Sequence, residues 1–508
     1  MLSIHRMARA WPAALLAITG CATYKPQPLD LRQFAVDWPA REIDTESIRT
    51  FAASLAQMEA QQPYDPSDGL SLTEAEAVAL VFNPRLRLAR AEADVPLAGA
   101  RESGWWPDPE FQAQVLRFAD RGRRTKFRFD GPSLDGVNTG VLGAGGLSAD
   151  GLEVTPLGVR RTGGEFIDDP WIIGASLSIT IPVSGRLAVE QQWAWAEYDA
   201  VWRRILISEW ELLTQLRSAW LEWSITRERI AVTWEFIEQF GAVADMAGRL
   251  SEAGEMRPTE ARVLLVELQR QRTKLQALES ECEQQRLELL AALGLAPEAP
   301  VELTPEVFVP TPQNEPDSRR AVLLERNPRI IAARAEYKAA EQRLRLEVRK
   351  QYPDLTLGPS YSFEEGFSRM GLGFGLPLPL WNHNRQAVAE ATAERDAAGS
   401  RAEAIVQQEL AALARAETRL RFATERRQML IDDVAPLVDR QVAESRKLLD
   451  LGEANVLVLR DALSSTVETK LEVLAATLAQ AQAANTLQQM LAPRWITPSQ
   501  AETEESRP

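Results

Sequence analysis

The chain has 508 residues, 45% apolar and 25% charged, with 57 Lys and Arg against 72 Asp and Glu. This composition excludes a disordered or collagen-like chain, and the net charge of −15 argues against nucleic acid as a partner. Two cysteines cannot build a disulfide framework, and two histidines leave little for a His-based metal or catalytic site.

Residues 1–20 read as an export signal. His5, Arg6 and Arg9 make a basic start, Trp11 to Ile18 an apolar stretch too short to span a bilayer, and Gly20-Cys21 a small-residue processing site. Ile18-Thr19-Gly20-Cys21 resembles a bacterial lipobox; the alternative is an ordinary signal peptide with a chance cysteine. The resemblance implies acylation of Cys21, the only cofactor-like group expected, and Ala22 after it implies sorting to the outer membrane. Removing the signal leaves 55 bases against 72 acids, a charge of −17, and Cys282 as the remaining thiol in a charged helical stretch, where it reads as packed and not nucleophilic. Beyond the signal no run of eighteen apolar residues offers a transmembrane helix.

The rest of the chain is duplicated. Asn83-Pro84-Arg85 and Ala89-Arg90-Ala91-Glu92 return as Asn327-Pro328-Arg329 and Ala333-Arg334-Ala335-Glu336, at a constant offset of 244. Each copy then reaches an aromatic-Pro-Asp step, Trp106-Pro107-Asp108 or Tyr352-Pro353-Asp354, a β-like region, an exit marked by Pro182 or Pro379, and a long helical stretch. Matching glycines interrupt those stretches in Ala253-Gly254-Glu255 and Leu451-Gly452-Glu453. The predicted organisation is a signal (1–20), an N-terminal segment (21–70), a first repeat (71–300, hairpin 108–182), a linker (301–320), a second repeat (321–490, hairpin 353–380) and a polar tail (491–508).

Within each repeat the apolar period falls from about 3.6 to 2 and returns. Ile173, Ala175, Leu177, Ile179 and Ile181 alternate with Gly174, Ser176, Ser178 and Thr180. Leu355, Leu357, Tyr361 and Phe363 alternate with small polar residues, and Leu372, Phe374, Leu376 and Leu378 with Gly371, Gly373 and Gly375. A less regular strand runs from about Glu110 to Phe129 through Phe111, Ala113 and Val115, and the glycine-rich stretch Gly131 to Gly164 reads as a long extracellular loop. Strands of about ten residues suit a tilted bilayer crossing, with Trp105, Trp106, Trp171, Tyr352 and Trp381 as interfacial aromatics at their ends. Four strands cannot close a barrel, and an open edge in lipid leaves unpaired backbone groups, so the barrel must be shared between subunits. A soluble sandwich is the bland alternative. Leu187 to Phe240 contains no proline or glycine and as one helix would be roughly 80 Å long. Leu206, Trp210, Leu213 and Trp220, and more loosely Ile405, Leu410, Leu413 and Leu420, are spaced as a coiled-coil seam.

Together these features resemble the TolC family of outer-membrane efflux proteins. The resemblance covers residues 70–490 and rests on the duplicated unit, the Pro-Asp steps, Leu376 to Trp381 and the paired glycine turns. The lipobox and the Asn-Pro steps are most similar to the lipoprotein branch serving RND-type metal and drug pumps. The fold it implies is mainly α with a small β part: a homotrimer whose four strands per copy make a 12-stranded transmembrane barrel, continued by a periplasmic α-barrel. The implied function is passive conduction to the cell exterior, driven by an inner-membrane pump, RND-type, through a periplasmic adaptor that docks on the tips Ala253, Gly254, Glu255 and Leu451, Gly452, Glu453. By the same resemblance Asp461, nine residues past Gly452, and Glu260, six past Gly254, are the pore-gate candidates; Val458 stands at Glu260's position in the second repeat. Solvated helix charges and plain helix caps are the ordinary readings of these acids and glycines.

No phosphate loop, HExxH, nucleophile elbow or CxxC supports an enzyme. His383, the only mature histidine, lies just past Trp381 and reads as interfacial. A type I secretion channel and a lipid-anchored periplasmic coiled coil remain as alternatives.

Overall fold

The structure is a computed structural model describing residues 24–59, 64–117, 124–129, 159–165, 171–310, 316–364, 367–451 and 456–491. Cys21 and the rest of the predicted signal, Gly452, Glu453, the polar tail and most of the glycine-rich stretch lie outside the described residues.

The helices are α1 (Leu31–Asp37), α2 (Glu46–Glu59), α3 (Leu72–Phe82), α4 (Pro84–Arg101), α5 (Arg186–Glu252), α6 (Pro258–Leu293), α7 (Pro316–Arg326), α8 (Pro328–Arg349), α9 (Arg385–Met429), α10 (Ala435–Asp450) and α11 (Val456–Leu491). The strands are β1 (Glu110–Arg117), β2 (Arg124–Phe129), β3 (Val159–Glu165), β4 (Trp171–Ile181), β5 (Leu355–Glu364) and β6 (Phe367–Gly375). By contacts the chain divides into a unit of Met1–Ala91, Ile205–Pro328 and Gln407–Pro508, and a second of Glu92–Arg204 and Arg329–Val406.

Three expectations are corrected. The strand expected over Glu110 to Phe129 is two strands, and β2 leaves the main sheet to pair antiparallel with β3 as a separate ribbon. Val159–Glu165, read as loop, is the other half of that ribbon, so six strands are described and four of them form the expected sheet. Arg124, Lys126 and Arg128 give β2 a basic alternation, unlike the mixed apolar one of β1. The strand expected through Leu372 to Leu378 is shifted: β6 starts at Phe367 and ends at Gly375, ahead of Pro377 and Pro379, which have no N–H for a ladder.

In the first unit, Ile48, Leu70, Val78, Leu86, Leu213, Trp220, Trp223, Leu289 and Leu293 form one core. Leu70 and Leu303 pair as an isolated parallel bridge that ties the N-terminal segment to the stretch after α6. The sequence Ser71-Leu72-Thr73-Glu74 starts α3 with reciprocal bonds: Ser71 N donates to Glu74 Oε2 (2.9 Å), and Glu74 N to Ser71 Oγ (3.4 Å). Beneath it Glu76, 2% exposed, is paired with Arg217, whose Nη2 donates to Glu76 Oε2 at 3.0 Å.

The duplicated Asn-Pro step makes the same carbonyl contact twice. Asn83 Oδ1 accepts from Arg85 N (3.0 Å) and Leu86 N (3.2 Å), capping α4, while its Nδ2 donates to Ala292 O (2.8 Å) near the end of α6. Asn327 Nδ2 donates to Met490 O (3.4 Å) near the end of α11 and to Glu409 Oε2 (3.2 Å). Each asparagine thus binds a C-terminal carbonyl of the long helix returning through its own repeat. Indoles assist: Trp38 Nε1 donates to Gly294 O (3.0 Å) and Trp210 Nε1 to Gln489 O (2.7 Å), with Arg41 Nη1 also on Gly294 O (2.7 Å).

The expected long helix extends from Arg186 to Glu252 without a break. Its counterpart in the second repeat has a π-helical turn at Leu430–Val434, where Ala435 N donates to Leu430 O. Pro436 follows at once and has no N–H for the Asp432 carbonyl, which explains why the regular ladder fails there. Of the expected seam, Trp210, Leu213 and Trp220 are buried, as is Leu413 in α9.

Candidate functional site: an apolar sheet face and a helix-pair tip

The sheet belongs to the second unit and has the order β1-β4-β5-β6, all antiparallel. Its register assembles one apolar face. Phe111 opposes Leu177, Val115 opposes Ile173, Ile179 opposes Leu357, and Leu357 opposes Phe374. On the other face Gln112 opposes Ser176, Ser176 opposes Ser360, and Ser360 opposes Gly371. The apolar face is open to its surroundings, with Phe111 69%, Leu372 72% and Phe374 79% exposed. In water such a face is a liability; against lipid it is stabilised.

Charges in these four strands are confined to their ends: Glu110 at one, and Arg117, Glu364 and Arg369 at or near the other. Trp105, Trp106, Tyr352 and Trp381 flank the end where α4, α5, α8 and α9 attach, and Trp171 begins β4 at the opposite end, with the Arg117 guanidinium 5.3 Å above its ring. The five aromatics are 43–86% exposed. Gly358 has a packing reason to be glycine, since a Cβ there would lie 1.9 Å from Leu177 O.

The helix-attached end carries polar ties that composition alone does not reveal. Arg186 Nη2 lies 2.9 Å from Asp354 Oδ2, so the Pro-Asp step before β5 is bound to the first residue of α5. Asn384 Nδ2 donates to Glu347 Oε2 and to its carbonyl, both at 2.9 Å, holding a turn in which His383 and Asn384 have φ of 43° and 53°. Burial pushes the Glu347 carboxyl up, but hydrogen bonds from Lys350 and Asn384 outweigh it and hold the group below its ordinary value.

The tip between α5 and α6 is built by a glycine. Gly254 has φ of 80°, Gly254 N donates to Ser251 O (3.2 Å) and Glu255 N to Leu250 O (2.9 Å), the paired closure of a helix C-terminus. A Cβ on Gly254 would meet nothing within 4 Å, so backbone conformation alone selects glycine. Ala253, Gly254 and Glu255 are exposed, and Glu260 is half-buried in the first turn of α6. Phe236, Phe240, Leu264, Leu268, Val456, Leu459 and Leu463 form the apolar cluster of this region, joining α5, α6 and α11. Leu451 at the second tip is exposed. Asp461 is on α11, exposed, and accepts from its neighbour Arg460, Nε to Oδ1 2.9 Å, so its charge has a local counter-charge. Cys282 is half-buried; burial pushes its thiol up more than Arg227 lowers it, which suits a packed residue.

Among the described residues no helix is long and apolar enough to cross a membrane. The family model described as outer membrane efflux protein matches residues 321–492, the second repeat. The fold is that of outer-membrane channels. The structure of the channel OprN is 17% identical with a TM-score of 0.64, covering 93% of this chain and 98% of that one. The CmeC channel of Campylobacter jejuni is 14% identical (0.61; 96% and 98%), and VceC of Vibrio cholerae 15% (0.62; 83% and 95%). No curated protein matches the sequence. The match thus covers the second repeat alone, and over the whole chain the likeness to these channels is one of fold.

Proposed function

We propose that the chain is one subunit of a homotrimeric outer-membrane efflux channel that conducts substrates passively to the cell exterior. The observation that carries this is the four-stranded sheet, with a continuous exposed apolar face and, among the described residues, no partner strand for the outer edges of β1 and β6. Every N–H and C=O on such an edge is unsatisfied in lipid, at several kcal/mol each, until another sheet covers it. Three copies give twelve strands, enough for a water-filled lumen, with the glycine and serine face inward.

On this reading energy comes from an inner-membrane RND-type pump through a periplasmic adaptor. The exposed turn Ala253-Gly254-Glu255, and Leu451-Gly452-Glu453 in the second repeat, are the adaptor contacts. Acylated Cys21 adds a lipid anchor, and Asp461 and Glu260 contribute carboxylates to the gate, where converging negative charge favours cations. Two measurements test the proposal. Unheated gels of detergent-extracted protein should show a heat-dissociable trimer, and Asp461→Ala should change cation block or leak in planar bilayers. A monomer on the first refutes the shared barrel, and unaltered conductance and selectivity in the second removes Asp461 from the gate.

A further inference from the structure

The sheet contains its own template for the contact between copies. Aligning Pro107-Asp108 with Pro353-Asp354 relates β1 to β5 by 246 positions, and aligning Pro182 with Pro379 relates β4 to β6 by 197. The register supports both offsets independently: Glu110↔Ser178 and Phe111↔Leu177 of the β1–β4 pair map onto Thr356↔Gly375 and Leu357↔Phe374, which are observed pairs of β5 and β6. The sheet is therefore two copies of one ribbon joined by a single seam, β4 with β5. The free edge of β6 is the repeat equivalent of the β4 edge in that seam, and the free edge of β1 is the equivalent of the β5 edge.

We propose that β6 pairs with β1 of the next copy in the register of the internal seam. Ala175↔Tyr361 and Ser176↔Ser360 then predict Leu372 opposite Val115 of the partner subunit and Gly373 opposite Gln114 of the partner subunit. The same mapping turns the Arg186–Asp354 ion pair, 2.9 Å across the internal seam, into a pair between Arg385 and Asp108 of the partner subunit. Within one copy both of these residues are exposed. From Pro379 to Arg385 there are two more residues than from Pro182 to Arg186, and the left-handed His383 and Asn384 take up the excess, so that Arg385, like Arg186, is the first residue of its helix. A slip of one residue would put the apolar and polar faces on opposite sides of the seam, so the pattern itself disfavours it. The inference rests on the closed-oligomer reading above.

The test is a disulfide in full-length protein lacking Cys282 (Cys282→Ser). Gly373→Cys with Gln114→Cys should oxidise to covalent oligomers up to the trimer on denaturing gels and collapse to monomer with reductant. Gly373→Cys with Gln112→Cys, shifted by two residues, should cross-link at least tenfold less. Within one copy the two cysteines are three strand spacings apart, about 14 Å, too far to bond. Single-cysteine variants account for any bond through Cys21. Leu372→Cys with Val115→Cys is a second matched pair should the first assemble poorly. For the ion pair, Asp108→Arg or Arg385→Asp should each lower the temperature at which the unheated oligomer dissociates, and the double swap should restore it. Equal or better cross-linking of the shifted pair overturns the register, and failure of the swap to rescue overturns the ion pair. An uncross-linked parent that runs as monomer refutes the closed oligomer instead.

Discussion

Replacing Asn83 separates two jobs that one side chain does. Its Oδ1 caps α4 through Arg85 N and Leu86 N, and its Nδ2 satisfies Ala292 O at 2.8 Å, in a residue only 4% exposed. Loss of an N-cap costs about 1 kcal/mol, and a buried carbonyl left without a donor costs about 1–3 kcal/mol. Asn83→Ala should therefore weaken the local structure by about 2–4 kcal/mol, which at tenfold per 1.4 kcal/mol is roughly 30-fold to several hundredfold faster opening. Hydrogen exchange can see both parts. In Asn83→Ala the amides of Arg85 and Leu86 and those of Gly294 and Leu295 should all exchange faster. Asn83→Ser keeps a capping hydroxyl but cannot reach Ala292, so only the α6 end should loosen. Asn83→Asp keeps the cap but sets a carboxylate against the Ala292 carbonyl, and should be at least as damaging at that end as alanine. Exchange within threefold of the parent in Asn83→Ala would refute the reasoning.

Further outcomes follow from the same geometry. Gly254→Ala should cost about 1–2 kcal/mol in opening of the α5–α6 turn, from left-handed backbone alone; Gly294→Ala, at φ of 73° with its Cβ 2.2 Å from Phe82 O, should cost more, and equal effects in exchange would contradict the packing argument. Gly358→Ala should reduce the yield of heat-dissociable trimer, because its Cβ would displace Leu177 O; a normal yield would mean that β4 and β5 separate freely. The Glu347 carboxyl, held below its ordinary 4.5, stabilises the His383–Asn384 turn above the unfolded pKa and loses that contribution as pH falls through the folded one. Exchange of the turn should thus quicken on acidification below about pH 4.5 in the parent and lose that dependence in Glu347→Gln.

The amino-acid pattern alone determined the duplication, the long helices, the alternating face of the sheet and the glycine turn at Gly254. These are legible because each depends on local periodicity or on a backbone conformation that few residues tolerate. Asn83 and Asn327 were visible as a repeat, but their partners Ala292 and Met490 lie 209 and 163 positions away, and no local pattern names a carbonyl. In the β2–β3 ribbon, β3 (Val-Arg-Arg-Thr-Gly-Gly-Glu) has no apolar alternation to mark it as a strand, and nothing local separates β2 from β1. The Pro-Asp step marks the approach to a strand, and only the fold puts Asp354 beside Arg186. Periodicity fixes which face of a strand is apolar. Which strands become neighbours, and which edges are left open for another copy, depends on long-range pairing, and that was decided by the tertiary structure.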